Sequence, residues 1–456
     1  MANYKKRSLK LYDSEQKLTF LLVAASYLIL SLKFLRFIFN YTENILFWDQ
    51  WDIFDKVLKE NNIFKLIFYQ HNEHRTGFSL LLTKMLAQFT GWNVRFETIF
   101  IGLTIILSSV IALSIKQRIT RKLEIYDIFI PFLFLNLYQW ENLIWGFQIG
   151  FILPLFLLMT SIFLFTIDSA GRKVRIFSFR VDVFMAVNTL LVLLSLTSAY
   201  THFHGLFVSL LITIYFLIHL KVSPNWLRGQ KYLAYFVVSS LIIVSYFLGY
   251  EQTRFLGAEK FNVLAFLKYI FFEINGAIGN YNKHLFGYAL IPAVAIVVFV
   301  KLLLSSVKTK KVTGYYPILS LMLFSFLFSS ATAFGRIGVG MEGAYTSRYA
   351  TLIIPLYFGL YLYFVKFLNE TIKKLILTFL IVFFVFVLSQ NNHFNYTYGS
   401  QRKTALQNWE ECYRYRENVE QCQISAGIQI YHSPDLISLE SKLQFLKKHK
   451  LSFFSQ

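Results

Sequence analysis

Apolar runs long enough to cross a lipid bilayer recur along almost the whole chain, and short polar connections separate them. A hydrocarbon core of about 30 Å is spanned by a helix of roughly 17–25 apolar residues. The pattern therefore predicts an all-α bundle of about eleven transmembrane helices. The predicted spans cover residues 18–39, 95–115, 125–137, 143–167, 181–198, 205–220, 232–249, 286–305, 315–333, 350–365 and 375–388.

Basic residues concentrate in every second connection between these spans. Because Lys and Arg are retained in short cytoplasmic loops, this alternation predicts a cytoplasmic N-terminus. An odd number of spans then places the chain after Gln390 outside the membrane. The basic segments are 5–10, 116–122, 172–175, 221–231, 308–311 and 366–374.

The composition favours a polytopic membrane protein over a soluble one. Hydrophobic residues make up 56% of the chain and aromatic residues 19%, whereas only 15% are charged. The formal net charge of +20 is explained by the cytoplasmic loops and by contact with anionic lipid headgroups, so no nucleic-acid partner is expected. Neither a P-loop nor a dinucleotide fingerprint is visible, which argues against a nucleotide-consuming domain.

These patterns divide the chain into a transmembrane domain, residues 1–390, and an extracytoplasmic C-terminal tail, residues 391–456. Both cysteines, Cys412 and Cys422, lie in the tail. An oxidising compartment would allow them to form a disulfide, and two free thiols are the alternative. From about Tyr431 onwards, leucines at helical spacing predict a short amphipathic helix docked on the bundle.

The first external loop, residues 40–94, carries the densest group of chemically active side chains. Asp49 and Asp52 are three residues apart and would share one face of a helix, with Trp48 and Trp51 on the adjacent face. The segment 52–69, interrupted near Asn61 and Asn62, and the segment 76–89 are typical of amphipathic helices that lie in the headgroup plane. Their junction carries His71, Glu73, His74 and Arg75.

Each of these residue types has more than one interpretation. The tryptophans could stack on a sugar or belong to the ordinary interfacial belt, and the carboxylates could be catalytic or cap helices in solvent. His71, Glu73 and His74 could hold a divalent metal ion. Their spacing matches no common zinc motif, so we favour a hydrogen-bonded network that orients a base or a phosphate. No cofactor is certain.

A later external connection carries Arg336, Arg348 and Tyr349 beside a glycine-rich stretch. Glycines allow close backbone approach to a ligand, and the planar, permanently charged arginine side chains suit a phosphate. The alternative is that both arginines reach out to lipid headgroups. A phosphate role is favoured because they lie outside, against the usual charge distribution.

Two shorter external turns are also polar. Glu141 and Gln148 flank one of them, at the edge of the hydrocarbon, where polar groups are costly unless partnered. They could line a pocket or pair with an arginine for structural reasons. His202 and His204 occupy the next external turn; both are candidate pocket residues, and a plain interfacial role is the favoured interpretation.

The arrangement resembles the opening module of the GT-C superfamily of glycosyltransferases. That module has a first span, an acidic site just after it, two juxtamembrane helices with a histidine-containing motif between them, and then the second span. The superfamily includes polyprenyl-phosphate-sugar-dependent transferases of lipid A and protein mannosylation. In it, an acidic residue of the first external loop acts as the catalytic base or close to it. Asp49 matches that position, and Asp52 is the second candidate.

More narrowly, segments 71–75, 141–148, 335–349 and 432–454 are similar to landmarks of bacterial proteins that modify surface polysaccharides, including O-antigen-modifying, serotype-converting glucosyltransferases. The resemblance covers nearly the full chain. It implies a GT-C-like fold in the bacterial inner membrane. It also implies transfer of a sugar, with glucose expected, from undecaprenyl phosphate to a surface glycan such as O-antigen on the outer face.

That function gives catalytic roles to Asp49 and Asp52, and its partners are a polyprenyl-phosphate-linked sugar donor, a glycan acceptor and membrane lipids. Two rival functions remain. A flippase or transporter of lipid-linked sugars would place charges near the bilayer midplane, and an O-antigen polymerase or ligase would concentrate its site in a late external loop. The expected substrate-binding residues are Trp48, Trp51, His71, Glu73, His74, Arg75, Glu141, Gln148, Arg336, Arg348 and Tyr349.

Overall fold

Long apolar helices dominate the structure, a computed structural model. It describes residues 2–167, 173–176, 179–223, 226–251, 262–279, 285–309, 312–432 and 435–455. Arg172, Lys310 and Lys311 of the predicted basic connections lie outside the described residues, as do Ser433 and Pro434 of the C-terminal landmark. Helices account for 82% of the structure.

The helices and strands follow one another with short connections. The helices are α1 (Ala2–Tyr41), α2 (Phe54–Leu58), α3 (Ile63–Ile67), α4 (Gly77–Thr90), α5 (Val94–Thr120), α6 (Phe129–Phe134), α7 (Trp140–Ile144), α8 (Ile149–Phe165), α9 (Val183–Ala199), α10 (Gly205–Val222), α11 (Trp226–Tyr246), α12 (Val263–Gly276), α13 (Leu285–Thr309), α14 (Val312–Arg336), α15 (Ala350–Phe367), α16 (Glu370–Arg416), α17 (Val419–Ala426) and α18 (Leu436–Lys448). Two antiparallel hairpins pair β1 (Gln70–His71) with β2 (His74–Arg75), and β3 (Lys173–Ile176) with β4 (Phe179–Asp182).

The chain is a polytopic, helical membrane protein. Within the described residues, two shorter apolar helices, α8 and α9, accompany six helices that are long and apolar enough to span a bilayer. Because only six reach that length, the predicted total of eleven stays a prediction. The six segments are Ser14–Tyr41, Val94–Thr120, Gly205–Val222, Leu290–Lys308, Gly314–Arg336 and Ser347–Phe367.

Three local features differ from the predicted spans. Residues 125–137 form a 3-10 turn, the six-residue helix α6 and a second turn that Asn136 caps, so no continuous helix spans this stretch. The amphipathic helix α12 was not predicted. The predicted domain boundary at 390 falls inside α16, a continuous helix of 47 residues that runs from the bundle into the C-terminal segment.

The polar connections collect at two opposite ends of the bundle. At one end, two of the predicted basic connections meet: Lys116 lies 2.9 Å from Asp127, and both Lys116 and Lys373 pair with Glu124. At the other end lie the first loop, the turns near His202 and Arg348, and the C-terminal segment. We call this second end the site end. These two basic connections thus lie at the end of the bundle opposite the site end.

The first loop has the predicted division into short helices. The helical structure breaks after α2 and resumes at α3. There the Asn62 side chain accepts hydrogen bonds from the N–H groups of Phe64 and Lys65. The predicted junction at 71–75 is the β1–β2 hairpin, in which His71 pairs with His74. The 14-residue helix α4 follows it and ends at Gly91, whose φ of +65° suits glycine.

The C-terminal segment shares a hydrophobic core with this first loop. Trp51 and Phe54 of the loop pack in one cluster with Trp409, Leu439 and Leu443, all fully buried. The Ser452 N–H donates to the Gly91 carbonyl at 2.7 Å, and a disulfide joins Cys412 to Cys422. The tail is therefore an integral part of the site end rather than a separate appendage.

Candidate functional site

A cavity of about 180 Å³ lies at the site end, where segments distant in sequence converge. Its wall combines carboxylates, imidazoles, guanidinium groups and aromatic rings. The lining residues are Asp49, His71, Asn72, Glu73, His74, Phe147, Phe151, His202, Phe203, His204, Tyr250, Ala331, Thr332, Phe334, Gly335, Arg336, Arg348 and Tyr349. Asp49 and both predicted arginines thus border one space.

Asp49 is held in a tight 3-10 turn, Trp48–Gln50. The turn is closed from both sides, because the Phe47 N–H donates to Gln50 Oε1 at 3.1 Å and the Gln50 amide donates to the buried Glu97 at 3.3 Å. Trp48 adopts a left-handed φ of 53°, an uncommon conformation for a bulky residue. These contacts fix the direction in which Asp49 leaves the backbone.

The Asp49 turn leaves no room for a side chain at Gly146. A Cβ at Gly146 would overlap the Gln50 amide and lie 2.8 Å from Glu97 Oε2. The turn before α8 can therefore pack against the Asp49 turn only because residue 146 is glycine. This packing brings Phe147, in the turn before α8, to the wall of the cavity.

Asp49, Asp52 and His71 form a compact group. One ligand atom from each lies within 4.8 Å of the other two. Two carboxylates and an imidazole are a donor set that suits a divalent transition-metal ion, so these three residues could hold one. The sequence suggested His71, Glu73 and His74 as metal ligands instead; in the structure, Glu73 lies 2.9 Å from Arg336 and 3.8 Å from His74.

The C-terminal segment completes this group, a contribution that was not predicted from the sequence. The Tyr431 hydroxyl donates to Asp52 Oδ1 at 2.7 Å, and His432 Nε2 lies 3.9 Å from Asp52 Oδ2. The carbonyl of Ile430 accepts from the Trp48 N–H at 2.8 Å. The only sequence signal was the position of His432 at the start of the C-terminal landmark.

The two predicted arginines reach the cavity from opposite ends of one loop. Arg336, the last residue of α14, lies 2.9 Å from Glu73. Arg348 lies over the rings of Phe151 and Tyr349, with its guanidinium carbon 5.9 and 5.7 Å from the ring centroids. Its Nε is buried and has no hydrogen-bond partner among the described residues.

Glu141 has the structural role that was one of its two predicted alternatives. Its Oε2 accepts from the Ser347 hydroxyl at 3.0 Å and from the Arg348 N–H at 2.9 Å. It does not line the cavity, and neither does the buried Gln148. Glu141 therefore acts on the site through the backbone position of Arg348.

Arg75 and Trp51, which were expected to bind substrate, do not line the cavity either. The guanidinium of Arg75 donates to the carbonyls of Tyr246 and Leu248, each at 2.6 Å, and so ties the hairpin to the end of α11. Trp51 is 0% exposed and belongs to the core under the first loop. A fully buried ring has no face left for a sugar.

Trp48, by contrast, is 39% exposed beside Asp49. Its ring stacks on Trp145 at 6.0 Å between centroids and lies 5.8 Å from the ring of His432. Neither Trp145 nor His432 stood out in the sequence as a partner of Trp48. An exposed aromatic platform next to a carboxylate suits contact with a sugar ring.

Three histidines form a stack on the cavity wall. The ring centroids of His74 and His202 lie 3.9 Å apart, and those of His202 and His204 lie 4.4 Å apart. Burial lowers the pKa of all three rings well below the ordinary value, and neighbouring imidazole and guanidinium groups lower it further. The interfacial role favoured for His202 and His204 is therefore wrong, because they are 2% and 6% exposed.

The site combines two kinds of side chain that suit a group-transfer reaction. A carboxylate on a rigid turn can accept a proton from a hydroxyl, and two guanidinium groups can hold a phosphate. Comparison of the chain with protein-family models, with curated proteins and with solved structures gives no match.

Proposed function

We propose that the protein is an integral-membrane glycosyltransferase of GT-C type. It transfers a sugar, with glucose as the expected one, from undecaprenyl phosphate to a surface glycan such as O-antigen. The reaction takes place on the outer face of the bacterial inner membrane. One observation carries the proposal: Asp49 lines the same cavity as Arg336 and Arg348, which lie almost 300 residues further along the chain.

In the proposed reaction, the acceptor hydroxyl gives its proton to the Asp49 carboxylate. The acceptor oxygen then forms a bond to the anomeric carbon, and the bond from that carbon to the phosphate oxygen breaks. The electron pair leaves with the phosphate, whose second negative charge is stabilised by Arg336 and Arg348. Asp52 lies beside Asp49, and Tyr431 orients it.

The surroundings of the arginines suit a lipid-linked donor. Ala331, Thr332 and Phe334 of α14 line the cavity next to Arg336, and Phe334 is 60% exposed. An apolar helix that continues from a phosphate site into the bilayer offers a surface for a polyprenyl chain. A cavity at the end of the bundle, rather than at mid-depth, favours transfer at one face over transport through the membrane.

The proposal is tested in cells by glycan modification at equal protein expression. Asp49→Asn is expected to reduce modification by about 100-fold or more, since general bases contribute roughly that factor. The matched control is Asp55→Asn, because Asp55 lies on α2, pairs with Lys59 and does not line the cavity. Unchanged modification in Asp49→Asn would exclude Asp49 as the base.

The phosphate role is tested with a second pair of variants in the same assay. Arg348→Ala is expected to lose modification because the phosphate loses a charged partner. Arg118→Ala is the control, since Arg118 is an exposed residue near the last turn of α5, at the opposite end of the bundle. Equal losses in both variants would contradict a specific role for Arg348.

A further inference from the structure

The histidine stack has unused hydrogen-bonding capacity. The Nδ1 atoms of His74, His202 and His204 are buried, and none has a hydrogen-bond partner among the described residues. Buried polar atoms are nearly always paired with protein or ordered water. Three such nitrogens on one wall therefore indicate that the stack is completed by something that enters the cavity.

Arg348 adds a fourth buried nitrogen of this kind at the same cavity. Its Nε lacks a partner among the described residues, and an arginine nitrogen can only donate. A group that satisfies it must be an acceptor. Neutral imidazoles donate from one nitrogen and charged imidazoles from both, so the histidines are compatible with the same acceptor.

The charges around the cavity favour an acceptor that is an anion. Asp49 and Glu73 contribute two negative charges, and Arg336 and Arg348 contribute two positive charges, so these charges cancel. The groups that act electrostatically on His202 and His204 are cationic or imidazole: His71, His74, Arg336 and Arg348. An anion beside the stack would relieve this repulsion and allow an imidazole to take up a proton.

We propose that the histidine stack, with Arg336 and Arg348, is a subsite selective for the dianion of a phosphate monoester, which binds together with a proton taken up by His202 or His204. The proposal rests on the proposed function, in which the ligand is the undecaprenyl phosphate released by sugar transfer. It adds a property which that function does not require: the spent carrier binds more tightly than the donor.

The selectivity follows from donor and acceptor numbers. A sugar-linked donor is a phosphodiester with one charge and two terminal oxygens, whereas the released monoester has two charges and three terminal oxygens. Two guanidinium groups and three imidazoles offer more donors than the diester can accept. The monoester uses the additional donors, and its second charge favours a protonated imidazole.

The test is isothermal titration calorimetry of the purified full chain in detergent at pH 7.5. Farnesyl phosphate, a monoester, is compared with farnesyl methyl phosphate, the diester that differs only by a methyl group. The monoester is expected to bind about tenfold more tightly, roughly the contribution of one hydrogen bond to a charged group. Titration in two buffers of different ionisation enthalpy is expected to show proton uptake for the monoester alone.

Variants assign the proton to the stack. His202→Gln and His204→Gln are each expected to reduce the preference for the monoester and the proton uptake. His219→Gln is expected to change neither, because His219, a half-buried histidine further along α10, contacts Tyr215 and lies outside the cavity. Equal affinity for the two esters in the wild type would overturn the proposal without the need for any variant.

Inorganic phosphate as a third ligand separates two sources of the same chemical group. Tighter binding of farnesyl phosphate than of inorganic phosphate assigns the subsite to the lipid carrier and supports the proposal. Equal binding assigns the subsite to free phosphate and overturns the monoester assignment. None of these titrations involves sugar transfer. Loss of the proposed glycosyltransferase function would therefore leave the binding result intact, and the reverse also holds.

Discussion

At the residue scale, the site depends on side chains held by partners that are remote in sequence. Asp52 receives a hydrogen bond from Tyr431, and Arg336 pairs with Glu73 across more than 250 residues. The sequence singled out Asp49, His71 and Arg348 as candidate site residues, and all three line the cavity. It could not show that His202 and His204 join them, because a histidine pair in an external turn has the same local pattern whether it faces lipid or a cavity.

The Tyr431 contact predicts a measurable loss of stability. Tyr431→Phe removes a donor to the partly buried Asp52 carboxylate and is expected to lower the free energy of unfolding by about 1 kcal/mol. Tyr415→Phe is the control, because Tyr415 is 89% exposed. Thermal unfolding in detergent measures both variants, and an equal effect of the two changes would show that the Tyr431 bond contributes nothing.

The histidine stack predicts a pH dependence of stability. Burial and neighbouring cations lower the pKa of His202 and His204 in the folded chain below the ordinary value of about 6.5. As pH falls through about 6.5, the unfolded chain therefore binds more protons, and the free energy of unfolding decreases. Melting curves between pH 7.5 and 5.5 measure this decrease.

Two controls accompany that pH series. His202→Gln is expected to flatten the slope, and a saturating phosphate monoester is expected to flatten it as well, because the ligand favours the charged imidazole in the folded state. A slope that is the same in wild type and in His202→Gln would contradict a buried neutral histidine at this position.

At the element scale, short helices and turns position the chemistry, and long helices supply the frame. Hydrophobic periodicity and turn residues predicted α3, α4 and α18 well, since each has a clear apolar face and a cap or break. For residues 125–137 the apolar composition predicted one span, whereas the chain forms a 3-10 turn, the six-residue helix α6 and a second turn. Trp51 was predicted to be exposed and is buried, because an interfacial tryptophan and a core tryptophan look alike in sequence.

The close contact between the Asp49 turn and the turn at Gly146 gives an element-scale prediction. Gly146→Ala is expected to cost about 1–3 kcal/mol and to reduce activity, because the added methyl group displaces Gln50 and with it the Asp49 turn. Gly229→Ala is the control, since a Cβ there would meet nothing within 4 Å. Melting temperature and glycan modification are measured for both variants.

A different result would be informative about the turn. If Gly146→Ala behaves as Gly229→Ala does, the contact with Gln50 is not tight and the rigid placement of Asp49 must come from elsewhere. If Gly146→Ala loses stability but keeps full activity, the turn position does not matter for the chemistry.

At the scale of the whole molecule, a membrane bundle brings the first loop, the turns near Gly146, His202 and Arg348, and the C-terminal segment to one end. Composition and the alternation of basic loops were sufficient to predict a polytopic helical protein and to place these connections on one side. Which loops touch depends on how α5, α8, α10 and α14 pack, and apolar helices of similar composition carry little information about their neighbours. The sequence therefore identified the parts of the site better than their contacts.

The most direct test of the central claim is sugar transfer by the purified protein in detergent, with undecaprenyl-phosphate glucose as donor and the surface glycan as acceptor. We expect transfer without a second compartment, at least about 100-fold slower in Asp49→Asn and unchanged in Asp55→Asn. Transport of the carrier without transfer, or full transfer by Asp49→Asn, would contradict that claim.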